Sequence, residues 1–266
     1  MEIYIPSCDR ADTLSWGVAR FASPAMQHRM LYVVPEDQVD KYTKSMSKQT
    51  IQSGVIGCPE KGISKTRHWI GQRAAEKGVD KFLMVDDDCW FYTRKGTTSF
   101  HLDYSKPDEV NNMLAMVETQ LNDYAHVGIS AREGNNRQGN GDQYLIAENT
   151  RTLRALAYRT EDFLSVEHGR VPVMEDFDVN LQLLERGLPN CNLIYWAQGQ
   201  RQTNAPGGCS TYRSHAVQEE AAKRLAELHP GVVSLRQKKN KSGGEFGHRT
   251  EVTIQWKKAY QRGAKI

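Results

Sequence analysis

Short apolar runs alternate with longer amphipathic stretches through the first half of the chain. Glu2 to Pro6 alternates apolar and polar residues and predicts a first strand. Leu31 to Val34 predicts a second, closed by Pro35, and Ile51 to Ile56 a weaker third. Phe82 to Val85 is an apolar run of the right length for a buried strand. Between these, Glu36 to Met46 reads as a short helix. The stretch opening at Gly62 reads as another, with Ile63, Ile70 and Ala74 on one face and Gly78 as its stop. Ser105 and Pro107 start a helix whose stripe of Val110, Met113, Leu114, Val117 and Leu121 is core.

Later in the chain, Val127 to Ser130, Leu153 to Tyr158 and Asn192 to Ala197 read as strands. Pro172 to Gly187 reads as a helix with Phe177, Leu181 and Leu184 inward. Val217, Ala221, Leu225 and Leu228 define a last long helix ended by Pro230-Gly231, and Glu251 to Trp256 alternates as a closing strand. Two polar stretches, residues 132–143 and 198–213, interrupt this pattern, and loops of that kind in compact domains are disordered or act as functional lids. Alternating strands and helices imply an α/β, Rossmann-type, mostly parallel sheet with helices on both faces. Ligands of such sheets bind outside the carboxyl ends of the strands.

Composition adds three constraints to the 266 residues. The five cysteines are scattered with no C-x-x-C pair, so reduced thiols are expected rather than a disulfide framework or zinc site. No apolar run is long enough to span a membrane, and the first six residues lack the features of a signal peptide. The expected location is the cytoplasm, the host's if the gene is phage-borne. Net charge is +3, but residues 236–266 carry nine Lys or Arg against two Glu, leaving the remainder at −4. A basic tail on an acidic body suits phosphate contacts, or is simply a solvated terminus.

The candidate chemistry starts at Asp86-Asp87-Asp88, which ends the Phe82–Val85 run. Three adjacent carboxylates beside a core repel one another. Either a hard divalent cation, Mg²⁺ or Mn²⁺, or a solvated acidic turn satisfies them, and the triplet alone leaves both open. Arg10 follows the first strand, where a strand-to-helix turn meets phosphates. Lys65 and Arg67 lie in the first turn of a helix, where the dipole disfavours cations, so an anion between them would relieve the conflict. Glu175 and Asp176 open the 172–187 helix, as caps or as functional acids.

Taken in order, Ile5-Pro6-Ser7-x-x-Arg10, Gly62-Ile63-x-x-x-Arg67, Asp86-Asp87-Asp88 as a D-x-D motif and Glu175-Asp176 as an "ED" motif resemble the GT-A-fold glycosyltransferases, close to the inverting family 2. The resemblance implies a single GT-A-like domain with a smaller acceptor-side subdomain. Residues 1–125 form a nucleotide-sugar half, 126–235 an acceptor and catalytic-base half, and 236–266 a basic segment. It implies that Pro6, Arg10, Lys65, Arg67, Asp86 and Asp87 bind a UDP-sugar. Asp88 and Asp86 would ligate Mn²⁺ or Mg²⁺, with His215 or His248 as a late ligand. Asp176 would be the general base beside Glu175, with Asp178 as the fallback.

The stretch 207–213 and the basic residues around Trp256 resemble, more narrowly, phage TET/JBP-associated glycosyltransferases. That implies a 5-hydroxymethylpyrimidine in single- or double-stranded DNA as acceptor. Lys238, Lys239, Lys241, Arg249, Lys257 and Lys258 would follow the backbone, and Trp256 or Tyr260 would stack on a base. Three rival classes use parts of the same pattern. A nucleotidyltransferase needs the strand-end carboxylates but no base, a glycosidase needs two carboxylates but no metal, and a nucleic-acid-binding protein needs only the tail.

Overall fold

The computed structural model describes residues 1–96, 101–134, 146–200, 214–239 and 248–265. The strands are β1 (Glu2–Pro6), β2 (Met30–Pro35), β3 (Gly54–Cys58), β4 (Lys81–Val85), β5 (Cys89–Arg94), β6 (Leu102–Tyr104), β7 (His126–Ala131), β8 (Ile146–Glu148), β9 (Ala155–Arg159), β10 (Asn190–Gln200), β11 (Val233–Lys239) and β12 (His248–Ile254). The helices are α1 (Pro24–Gln27), α2 (Val39–Lys48), α3 (Ile63–Glu76), α4 (Pro107–Gln120), α5 (Thr160–Leu164), α6 (Glu175–Glu185), α7 (His215–Leu228) and α8 (Trp256–Gly263).

Ten strands make one sheet in the order β3-β2-β1-β4-β9-β7-β10-β5-β6, with β8 paired to β10. β3, β2, β1 and β4 all run parallel, as the strand–helix alternation requires. β9 is antiparallel to both β4 and β7, and β5 is antiparallel to β10. The acidic triplet therefore leaves β4 where the sheet changes from parallel to antiparallel pairing, which opens a crevice at the strand ends.

Period-2 alternation sends β4 side chains into two separate cores. Leu83 and Val85 join Val110, Met113 and Val117 of α4 and Tyr42 and Met46 of α2 on one face. Phe82 and Met84 join Ile70 and Ala74 of α3, Phe163 of α5 and Val179 and Leu183 of α6 on the other. Burying a side chain such as Phe82 contributes about 1.5–3 kcal/mol, so both faces anchor this strand.

Several elements differ from the sequence expectation. The strand expected from Leu153 starts at Ala155, and the one expected from Asn192 runs from Asn190 to Gln200. β5 and β6 were not expected, because the triplet and residues 97–100 break up their pattern. The C-terminal segment is a folded unit among the described residues. β11 and β12 pair as a hairpin, and Trp256 opens α8 instead of closing a strand. Leu181 and Leu184 of α6 pack with Leu225, Val233 and Ala259, which seats the basic segment on α6.

A buried polar network ties this unit down. His229 Nδ1 lies 2.8 Å from Glu185 Oε2 and its Nε2 2.9 Å from Asp178 Oδ1. The Arg170 guanidinium donates to both oxygens of Asp178.

Candidate active site

The triplet splits into one inward and two outward carboxylates. Asp87 is buried; it accepts a hydrogen bond from Ser7 and one from Arg10 Nη1 at 2.6 Å. Tyr42 Oη hydrogen-bonds Ser7 at 2.7 Å. Burial pushes the Asp87 carboxyl up to about 6 against the opposing pull of Arg10 and Ser7. Asp87 is thus an internal anchor for the loop after β1. Gly17 shares the anchor: a Cβ there would stand 1.8 Å from the Asp87 carbonyl oxygen.

Asp86 and Asp88 remain partly exposed at the strand end. Arg10 Nη1 lies 3.0 Å from Asp88 Oδ2, and Arg67 Nη2 lies 2.8 Å from Asp86 Oδ1. Burial first, and the Asp86 charge next, raise the Asp88 carboxyl above its ordinary value. Two hard oxygen donors that repel each other at an accessible strand end fit a divalent cation.

Arg67 is buried, and its Nη1 donates to Glu175 Oε1 at 2.5 Å. It therefore joins the D-x-D stretch to the first turn of α6. Lys65, two residues earlier, is exposed, and a two-residue step on a helix turns it to another face. The expected anion between Lys65 and Arg67 is not what resolves the dipole conflict; the carboxylates of Asp86 and Glu175 do. Pro6 is buried at the end of β1.

Glu175 and Asp176 stand on the first turn of α6, behind Met174 at φ 66°. A left-handed non-glycine residue costs on the order of 1–3 kcal/mol, a strain that clusters at functional sites. Burial pushes Glu175 up to about 7 despite Arg67. It also raises Asp176, against the pull of Arg67 and Arg151. A small cleft is lined by Ser64, Arg67, Tyr158, His168, Glu175 and Asp176 among others. Asp178 lines it too, but its oxygens are held by Arg170, His229 and Gln182. As a fallback base Asp178 is already committed to that network.

His215 opens α7, which packs on the β11–β12 hairpin, and His248 begins β12 opposite Lys239. Among the described residues no group of three or more His, Cys, Asp or Glu gathers to hold a metal. Register places Lys238 opposite Arg249, and Lys238 lies 3.5 Å from Glu251. Lys257 and Lys258 are exposed on α8; Lys241 lies outside the described residues. Trp256 packs edge-on against Phe177 at 5.6 Å, so it is part of the α6–α8 contact and not a stacking surface. Tyr260 is partly buried in the same cluster. Of the five cysteines, Cys8, Cys58, Cys89 and Cys191 are free thiols, and Cys209 lies outside the described residues.

Sequence reasoning missed several residues that shape this edge. Ser7 and Tyr42 fix Asp87. Arg154, at φ 65°, accepts the Asp86 N–H through its carbonyl and reaches Gln198 Oε1 at 3.2 Å. Arg151 covers the Phe177 ring at 4.8 Å beside Asp176. The only signal for Arg151 and Arg154 was their position just before a strand at the sheet's carboxyl edge.

The fold is of the GT-A type seen in nucleotide-sugar glycosyltransferases, and Arg67 joins Asp86 to Glu175 in the crevice at its switch point. Solved structures agree on the fold. The chain is similar to S. aureus TarS 1-349 in complex with UDP-GlcNAc, at 12% identity over 85% of this chain and 67% of that one, with a TM-score of 0.51. The TarS complex with UDP gives 12% identity over 86% and 65%, with a TM-score of 0.50. The chain thus spans about two thirds of the TarS chains. It belongs to the TET-associated glycosyltransferases, whose family profile matches residues 1–208. No curated protein matches it. Among the described residues, no helix is long and apolar enough to cross a membrane.

Proposed function

We propose that this glycosyltransferase moves a sugar from a UDP-sugar to the hydroxyl of a 5-hydroxymethylpyrimidine in DNA, with metal assistance and inversion at the anomeric carbon. The observation that carries the reading is Arg67, which holds Asp86 and Glu175 together and so brings a leaving-group site and a base site to one crevice. TarS, which shares the fold, was crystallised with UDP-GlcNAc, which supports UDP as the donor nucleotide.

Asp86 and Asp88 would hold Mn²⁺ or Mg²⁺, which supplies Lewis-acid stabilisation of the diphosphate charge when bound. Arg10 lies within reach of the same edge and adds positive charge for the phosphates. Asp176 takes the proton of the acceptor hydroxyl as its oxygen attacks the anomeric carbon; the bond to UDP breaks on the opposite face. Burial raises Asp176 above the ordinary carboxylate range, which suits a base that must accept a proton. A nucleotidyl transfer would leave the Glu175–Asp176 pair without a task.

The DNA acceptor is supported by family membership and by the placement of the basic segment. α8, with exposed Lys257 and Lys258, packs on α6 within one turn of Asp176. Lys238 adds to that positive surface from the hairpin.

The test is incubation with Mn²⁺, a panel of nucleotide sugars and hydroxymethylated DNA, followed by digestion and mass measurement of the nucleosides. A hexose-sized increase on the hydroxymethylpyrimidine, inverted by NMR and abolished by EDTA, is expected. An unmodified nucleoside with every donor would overturn the acceptor assignment.

A further inference from the structure

Tyr104 and Leu235 are the large apolar side chains left exposed among the described residues, at 61% and 46%. Tyr104 differs from an ordinary surface tyrosine because its ring is braced. It stacks on Tyr92 at 4.8 Å with 30° between the planes. Tyr92 is buried, and its Oη accepts from Trp90 Nε1 at 2.6 Å and from Arg132 Nη1 at 3.1 Å. The Arg132 guanidinium also lies 4.6 Å from the Tyr92 ring centroid. Two hydrogen bonds and two stacking contacts thus fix the layer on which Tyr104 rests.

The position of this stack relates it to the acids. β5 begins directly after Asp88, and Tyr92 pairs with Tyr104 across β5–β6. Four strand residues from Asp88 place the stack roughly 13 Å along the sheet. Phe91 points into the core shared with α4, so Trp90 and Tyr92 face the opposite side, where α3 and α6 lie. Arg132 is exposed, and no carboxylate pairs with it among the described residues. An exposed aromatic ring beside a guanidinium matches a nucleobase next to its phosphate.

We propose that Tyr104, supported by Tyr92 and flanked by Arg132, is a stacking platform for an unpaired base of the acceptor strand. The proposal deepens the DNA-acceptor reading and rests on it. Stacking on an aromatic face is tolerant of base identity, so the platform would position the strand and leave recognition of the modified base to the crevice.

The test uses the full chain and a fluorescein-labelled, hydroxymethylated single strand, with affinity read by anisotropy. Tyr104→Ala is expected to weaken strand binding about tenfold, while Tyr104→Trp retains it. Arg132→Gln is expected to lower the salt slope of binding by about 0.7. UDP affinity stays at the wild-type value in each. In the wild-type protein, a strand carrying 5-iodouracil should photocrosslink to the peptide containing Tyr104, a readout independent of any variant's folding.

Wild-type affinity in a folded Tyr104→Ala protein, or crosslinks confined to other peptides, would overturn the platform while leaving the acceptor assignment standing if wild type still glycosylates DNA. Absence of both strand binding and DNA glycosylation in wild type would overturn the two together. A surface for a carbohydrate or protein partner would show as strand affinity unmoved by all three substitutions.

Discussion

Arg67 Nη1 and Glu175 Oε1 meet at 2.5 Å across 108 residues of chain, and the same guanidinium reaches Asp86 at 2.8 Å. A planar fork serves two carboxylates on different elements in a way an ammonium does not. Replacing Arg67 by Met leaves the buried Glu175 carboxylate unpaired and should cost about 3–5 kcal/mol of stability, measured by urea unfolding. Arg67→Lys should fold, yet lose about 100-fold in transfer rate through misplacement of Glu175 and Asp86.

Asp176→Asn should lower kcat by about 10²–10⁴ while leaving UDP affinity unchanged, as expected of a base that does not touch the nucleotide. The pH profile provides the second check. Asp176 works ionised, and burial holds its carboxyl above the ordinary value. The rate of the wild-type enzyme should therefore fall on the acid side at a pH above that of an exposed aspartate. The Asn variant should lack that limb.

The triplet should divide under mutation. Asp88→Asn should abolish saturable Mn²⁺ binding measured by calorimetry, and EDTA should silence the wild type, with activity restored by added Mn²⁺. Asp87→Asn should keep the Mn²⁺ isotherm and instead lose stability, about 1–3 kcal/mol, because it weakens the Ser7 and Arg10 anchor.

His229 makes a different prediction, about stability alone. Burial would depress its pKa, but hydrogen bonds to the Asp178 and Glu185 carboxylates outweigh burial and raise it above the ordinary histidine value. A raised folded-state pKa stabilises the fold fully below the unfolded value and ceases to do so as pH rises through the folded one. Urea midpoints of the wild type should therefore decline as pH rises above the ordinary histidine value. His229→Gln should flatten that decline and lower the midpoint at pH 6.

How much of this could be read in advance depended on the range of the interaction. The β1, β2 and β4 strands and the α3, α4 and α7 helices follow from local alternation and apolar stripes, and they lie within a few residues of their expected ends. Antiparallel insertion of β9 beside β4 has no local signal, since pairing partners are chosen by packing and not by sequence neighbours. Sequence alone ranks Asp178 behind Asp176 only as a fallback base. A helix turns about 200° between them, and Asp178 then meets Arg170 and His229 on another side. Arg67 was read as a cation seeking an anionic ligand, because its partners Asp86 and Glu175 become neighbours only in the folded chain. The tail's charge and the Glu251–Trp256 alternation are local, whereas the residue-by-residue pairing of Val233–Lys239 with His248–Ile254 is not.

Gly17 carries a consequence for how this enzyme can vary. With 1.8 Å between a would-be Cβ and the carbonyl of Asp87, any larger letter at position 17 pushes directly on the hinge of the acidic strand. The obstruction is main chain, which cannot swing aside as a flexible side chain would. A saturation library at that codon, selected for sugar transfer, should return glycine alone. Directed evolution toward new donors must therefore leave this spot fixed and work around it.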